Sequence, residues 1–172
     1  MAERERSEEH DDVASTSTPS GFEGRATEFF HVGITVSDVD RSIDFYHKVL
    51  GLEVEGRSVI DTDNVRTLVG VPFTELVCVF LALPGGGSLE LLQYCGVKSG
   101  TISAPPSHAG SGHLCLWVEG LDAILARARA RGGVTISAVP VPSTRYPGAK
   151  VVYLRDPDDF MLELIELHRE SI

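Results

Sequence analysis

His31-Val32-Gly33-Ile34-Thr35-Val36-Ser37-Asp38 and His113-Leu114-Cys115-Leu116-Trp117-Val118-Glu119-Gly120 share one pattern. In each stretch an apolar residue alternates with one of another kind, the period of a strand that buries one face. Val32, Ile34 and Val36 align with Leu114, Leu116 and Val118, and His31 aligns with His113. Phe30 extends the first apolar face. A helix follows each strand. Ser37-Asp38-Val39-Asp40 reads as a turn and helix start, Ile43, Tyr46, Val49 and Leu50 have helical spacing, and Gly51 is the stop. In the second copy Leu121, Asp122, Ile124, Leu125 and Ala128 give the helix and Gly132-Gly133 ends it. Asp40 aligns with Asp122.

Working outward, apolar stretches follow the first helix near 76–83 and 88–94, with Pro84-Gly85-Gly86-Gly87 as a hairpin turn between them. The second helix is followed by stretches near 134–141, 150–155 and 160–167, with a turn at Asp156-Pro157-Asp158-Asp159. The ends match as well, since Leu89-Glu90-Leu91-Leu92 resembles Leu162-Glu163-Leu164-Ile165. An internal repeat of this kind fixes the architecture. Two tandem βαβββ units make an α+β domain and not a parallel, doubly wound one. Module one spans 27–95, a Gly-, Ser- and Pro-rich linker 96–112, and module two 113–167, within a single domain over 27–172.

Residues 1–26 read as a disordered acidic tail, with seven acidic side chains against three arginines and too little apolar surface to offset the entropy of ordering. The whole chain of 172 residues carries a net charge of −10, which argues against nucleic acid as a partner. No apolar run approaches the roughly 18 residues that span a membrane, and no secretory signal is visible, so a cytoplasmic protein is expected. Cys78, Cys95 and Cys115 form no CxxC pair and, being odd in number, no closed disulfide framework; buried, reduced thiols are expected. His10, His47, His108 and His168 read as surface residues, and Arg127, Arg129 and Arg131 as a solvated helix face.

Four polar residues interrupt otherwise apolar strands: His31, Glu90, His113 and Glu163. Each alone is an ordinary strand residue. As a set in duplicated positions they suggest more. Strand parity puts His31 opposite the Phe30, Val32, Ile34 and Val36 face. Glu90 shares its face with Leu92 and Tyr94, His113 with Cys115 and Trp117, and Glu163 with Met161 and Ile165. With helices on the aliphatic faces, all four lie on the other, concave face. Isolated carboxylates there would be costly, and a divalent cation removes that cost. Nitrogen and oxygen ligands suit zinc, nickel, cobalt, manganese or iron(II).

These residues resemble the vicinal oxygen chelate superfamily, which includes glyoxalases, epimerases, ring-cleaving dioxygenases and bleomycin resistance proteins. The matching text is His31-Val-Gly-Ile-Thr-Val-Ser-Asp, Phe45-Tyr46 and Leu50-Gly51-Leu52, then Asp156-Pro157-Asp158 and Leu162-Glu163-Leu164. The family usually has Gly after Asp-Pro-Asp, where this chain has Asp159. The resemblance implies a cup-shaped, open-barrel mixed sheet with helices outside. It implies one divalent metal held by His31, Glu90, His113 and Glu163. Glu at position 90 matches the glyoxalase-like lyases and isomerases better than the ring-cleaving dioxygenases, where that position is not a ligand. Gly148-Ala149-Lys150 resembles a glyoxalase substrate loop.

The expected reaction is proton transfer next to a metal-bound carbonyl by way of an enediolate. Glu163 is the first choice of base and Glu90 the second. Tyr94, Trp117, Tyr146 and Lys150 are the expected substrate contacts. The competing readings are an iron(II) ring-cleaving dioxygenase and a metal-free small-molecule binding protein of the resistance type. The expected partner is a small molecule, with no nucleic acid or membrane. A homodimer is expected, and whether the halves meet within one chain or across two is open.

Overall fold

Asp38 decides where the first helix begins. In the computed structural model, which describes residues 24–98 and 100–167, its side chain accepts the Arg41 N–H at 3.0 Å. Helix α1 then runs Val39–Leu50 and ends at Gly51, whose left-handed φ of 74° costs glycine least. It follows strand β1 (His31–Thr35). After it come β2 (Val54–Ile60), a short helix α2 (Asp63–Val69), β3 (Leu76–Ala82) and β4 (Ser88–Tyr94). Module two contains β5 (His113–Trp117), α3 (Leu121–Arg129), β6 (Val134–Thr135), β7 (Val141–Pro142), β8 (Ala149–Arg155) and β9 (Met161–Leu167). The acidic tail lies outside the described residues up to residue 23.

Each module makes its own open sheet, in the order β1-β4-β3-β2 and β5-β9-β8-β6, with β7 also paired to β8. The duplication extends to strand direction. β1 runs parallel to β4 and β5 parallel to β9, while β3–β4 and β8–β9 are antiparallel. The α+β class and the repeated βαβββ order are therefore those of the sequence reading, with the strands in two open sheets.

Two details differ from it. The apolar stretch at 134–141 breaks into two-residue pieces, because Pro140 has no N–H for a ladder and the Ser137 hydroxyl donates to the Val139 carbonyl at 2.9 Å. Helix α2 had no expectation, and it buries no residue, so no hydrophobic period marked it.

The aliphatic faces of both sheets pack on α1 and α3 as one core. Phe45, Tyr46 and Val49 meet Leu121, Leu125 and Ala128 there, over Val79, Leu91, Leu154 and Leu164. Polar contacts join the modules. Buried Tyr46 donates its hydroxyl to Asp156 at 2.8 Å. Asp156 also accepts the N–H groups of Asp158 and Phe160, both at 2.8 Å. Asp158 accepts from the Ser37 hydroxyl and from Arg41, each at 2.6 Å. Asp159, in the turn where the family usually has Gly, takes a left-handed φ of 67°, a conformation that Asp tolerates better than most side chains. The arginines of α3 and the turn after it are not merely a solvated face. Arg127 donates to the Val49 carbonyl at 3.0 Å and Arg131 to Asp44 at 3.2 Å, which ties α3 to α1.

Candidate metal centre

The four residues come together as two pairs. His31 Nε2 stands 3.2 Å from Glu90 Oε2 on the β1–β4 sheet, and His113 Nε2 stands 3.0 Å from Glu163 Oε2 on the β5–β9 sheet. Strand register explains both. Glu90 lies beside Gly33, two residues after His31, and Glu163 beside Cys115, two residues after His113. Residues two apart on a strand share a face, so each His reaches its Glu diagonally. Each carboxylate is largely sheltered, at 15% and 19% side-chain exposure. Among the described residues neither meets a Lys or Arg.

Each pair supplies one imidazole nitrogen and one carboxylate oxygen. Among the described residues no three His, Cys, Asp or Glu side chains stand close enough to hold an ion. A protein site for zinc or its neighbours takes three or four ligands. One pair alone has too few donors for such a site, and the two pairs together have the nitrogen and oxygen donor types that borderline divalent ions favour. His31 and His113 remain partly exposed, at 33% and 39%, so both halves can be approached from outside.

The surroundings of the two halves differ. Around Glu90, Phe80 is the antiparallel partner and its ring lies 5.7 Å from that of His31. Phe30, read from the sequence as a core residue, is 69% exposed and sits with its ring 4.9 Å from the His31 ring. It precedes β1, so the strand's parity does not govern it. Tyr94 packs on Phe73 at 5.7 Å in a small cluster with Leu76 and Cys78 at the α2 end of this face. Burial is the larger cause of its raised phenol pKa, ahead of the Cys78 and Glu90 charges.

Around Glu163 stand Cys115 and Tyr153. The Tyr153 ring makes an edge contact with His113 at 5.2 Å. Burial first, then a hydrogen bond and the charge of Glu163, push the Tyr153 hydroxyl up to about 12. Cys115 was expected to be buried and is exposed on this face instead; Cys78 is buried and Cys95 half-buried. Tyr153 was missed, although its register opposite Glu163 follows from aligning the 150–155 and 160–167 strands across their turn.

Trp117 is 54% exposed on the His113 side and stacks edgewise on Tyr146 at 4.9 Å, with the Arg145 guanidinium 5.4 Å from the Tyr146 ring centre. Lys150 departs from its expected place. It lies inside β8, not in a loop, at the positions shared by the core residues Val152 and Leu154. Parity thus puts it on the sheet face opposite Glu163.

Gly33 matters through its missing side chain. A Cβ there would stand 3.2 Å from Glu90 Oε2 and 3.6 Å from Leu92 Cδ1. Gly33→Val is expected to displace Glu90 and to weaken zinc binding at least about tenfold, as disturbed ligand orientation does. The check is chelator competition, with circular dichroism to verify that the fold is kept.

A protein-family model described as the glyoxalase/bleomycin resistance protein/dioxygenase superfamily matches residues 28–164. The chain belongs to this superfamily. Among its relatives in the superfamily, a 2-epi-5-epi-valiolone epimerase of an Actinomyces species is 31% identical over 147 residues, which is 83% of this chain and 80% of the relative. A lactoylglutathione lyase of Haemophilus influenzae is 31% identical, over 81% of this chain and 92% of that one. A lactoylglutathione lyase of Arabidopsis thaliana is 28% identical over 80% of this chain, which spans only 44% of the plant enzyme. The glyoxalase family fold is shared with a protein from Bacillus cereus at a TM-score of 0.72 and 20% identity, covering 84% and 96% of the two chains. Among the described residues no helix is long and apolar enough to cross a membrane.

Proposed function

We propose that this protein is a divalent-metal-dependent lyase or isomerase that moves a proton at the carbon next to a substrate carbonyl. In this reading each site is completed by two copies of the chain, with His31 and Glu90 from one and His113 and Glu163 from its partner. The carrying observation is the duplicated His–Glu pair, each half on a face left open and neither half sufficient alone. A twofold axis would then build two equal sites per homodimer.

Zinc, nickel, cobalt, manganese or iron(II) would fit the four donors and, when bound, supply Lewis-acid stabilisation of charge developing on the carbonyl oxygen. His31 and His113 would stay as fixed ligands through their imidazole nitrogens. Glu163 or Glu90 takes the proton from carbon on a carboxylate oxygen and returns it at the end. Trp117 and Tyr146 offer an aromatic wall, and Arg145 beside them a cation for an anionic part of the substrate. Tyr94 lies at the far end of the module-one face and would bound the pocket there. Lys150 has no part in this reading.

The relatives' names carry two substrates of different class, lactoylglutathione and 2-epi-5-epi-valiolone. Both carry a proton beside a carbonyl. The test is proton exchange in deuterated water, followed by nuclear magnetic resonance with each class in turn. The native protein is expected to introduce deuterium at the carbon next to the carbonyl of one of them. The Glu90→Gln, Glu163→Gln double variant is expected to introduce none. Undiminished exchange in that variant would contradict the proposal.

A further inference from the structure

The two modules differ in what precedes their histidines. Phe30 stands immediately before His31, whereas Gly112 stands before His113. The Phe30 ring lies 4.9 Å from the His31 ring and 6.2 Å from that of Phe80. Phe80 is the register partner of Glu90 and shares its face. The Phe30 ring therefore lies on that face as well, although Phe30 precedes the strand. At 69% exposure it is open to an approaching ligand. Gly112, at the matching place in module two, offers no side chain.

Phe30 is held in this place by its backbone and its neighbour. Its carbonyl accepts the Ser88 N–H at 3.1 Å, which carries the β1–β4 pairing one residue back from His31. Phe29 lies against the β3–β4 turn. A Cβ at Gly87 would overlap the Phe29 ring and stand 3.0 Å from the Phe30 carbonyl oxygen, so this close approach needs glycine. A lone apolar side chain on a surface needs no explanation. Two consecutive exposed phenylalanines, one of them packed on a candidate metal ligand, mark a binding surface.

Resting on the four-ligand reading above, we propose that Phe30 is a specificity-determining residue. Its ring is a fixed apolar wall beside His31. It selects substrates that carry an apolar group, and not a hydroxyl, on that side of the reacting carbonyl. The rings of Phe30 and Phe80 have no conventional donor or acceptor. A hydroxyl laid against them gives up its water without replacement, whereas a methyl group gains by leaving water. An enclosed apolar pocket rejects an added hydroxyl by about 100-fold, and a wall open on its outer side should give about tenfold.

The probes are butanohydroxamate and its analogue with a terminal hydroxyl in place of the methyl. Both chelate a divalent ion through two neighbouring oxygens, and they differ only at the far end. Their affinities for the cobalt(II)-loaded protein are read from cobalt absorption, each divided by its affinity for free cobalt(II). The native protein is expected to favour butanohydroxamate by about tenfold. Phe30→Ala is expected to bring the two close to parity, chiefly by weakening butanohydroxamate. Phe30→Leu keeps an apolar wall and is expected to keep most of the preference. His31→Ala is expected to lose the cobalt signal with either probe.

If the native protein takes up no cobalt(II), or His31→Ala leaves its absorption unchanged, the four-ligand reading fails and the role of Phe30 fails with it. If the absorption depends on His31 but the native protein shows no preference between the probes, or Phe30→Ala retains that preference, the role of Phe30 is overturned and the site stands.

Discussion

An equal mixture of His31→Ala and His113→Ala chains, refolded together, is expected to recover about a quarter of the native metal content and turnover. Each variant alone is expected to have almost none, because every site in its dimer lacks one imidazole, a loss greater than the ~100-fold of an outer-shell change. The recovery follows from the proposed twofold arrangement. In a mixed dimer one site joins the two damaged halves and the other joins two intact halves. Random pairing makes about half of the dimers mixed, and one of their two sites works. The substitutions touch partly exposed histidines outside the core, so the chains should fold. Metal content after mixing, with exchange activity beside it, is the check. No recovery, from chains shown to have exchanged partners, would place all four ligands within one chain.

The second large effect concerns stability. Asp156→Ala is expected to destabilise the protein by about 3 kcal/mol or more, because it strips a buried acceptor from three donors at once. Those donors are the Tyr46 hydroxyl, which is fully buried, and the N–H groups of Asp158 and Phe160. Burial pushes the Asp156 carboxyl up, against the hydrogen bonds that pull it down. Asn can still accept and should recover much of the loss. Tyr46→Phe removes one donor of the three and should cost about 1–2 kcal/mol. Urea unfolding of the three variants measures the order. Equal stability of Asp156→Ala and the native protein would show that the junction between α1 and the β8–β9 turn contributes little.

Much of this architecture was legible because period-two alternation and helix stops are local signals. Asp38 and Gly51 bound α1 as their chemistry requires, and the repeat carried the strand order from one module to the other. The His–Glu pairs were legible through parity and duplication together. That the four residues fall into two separate pairs was not, because parity names a face and says nothing about which sheet another sheet meets. Lys150 was misplaced because a Gly-x-Lys resemblance outweighed the strand beginning at Ala149. Phe30 was misplaced because parity was extended one residue before the strand. Tyr153 was overlooked, and Cys115 was given the His113 face but expected buried, because their types suggest packing until a register makes them neighbours of Glu163. Helix α2 carries no buried stripe and therefore no signal at all.

The most direct test of the central claim is elemental analysis of the purified native protein beside the His31→Ala, Glu163→Ala double variant. About one divalent ion per chain in the native protein, and almost none in the variant, is the predicted result. A native protein that takes up no zinc, nickel, cobalt, manganese or iron(II) on incubation would contradict it, and so would an ion that the variant retains.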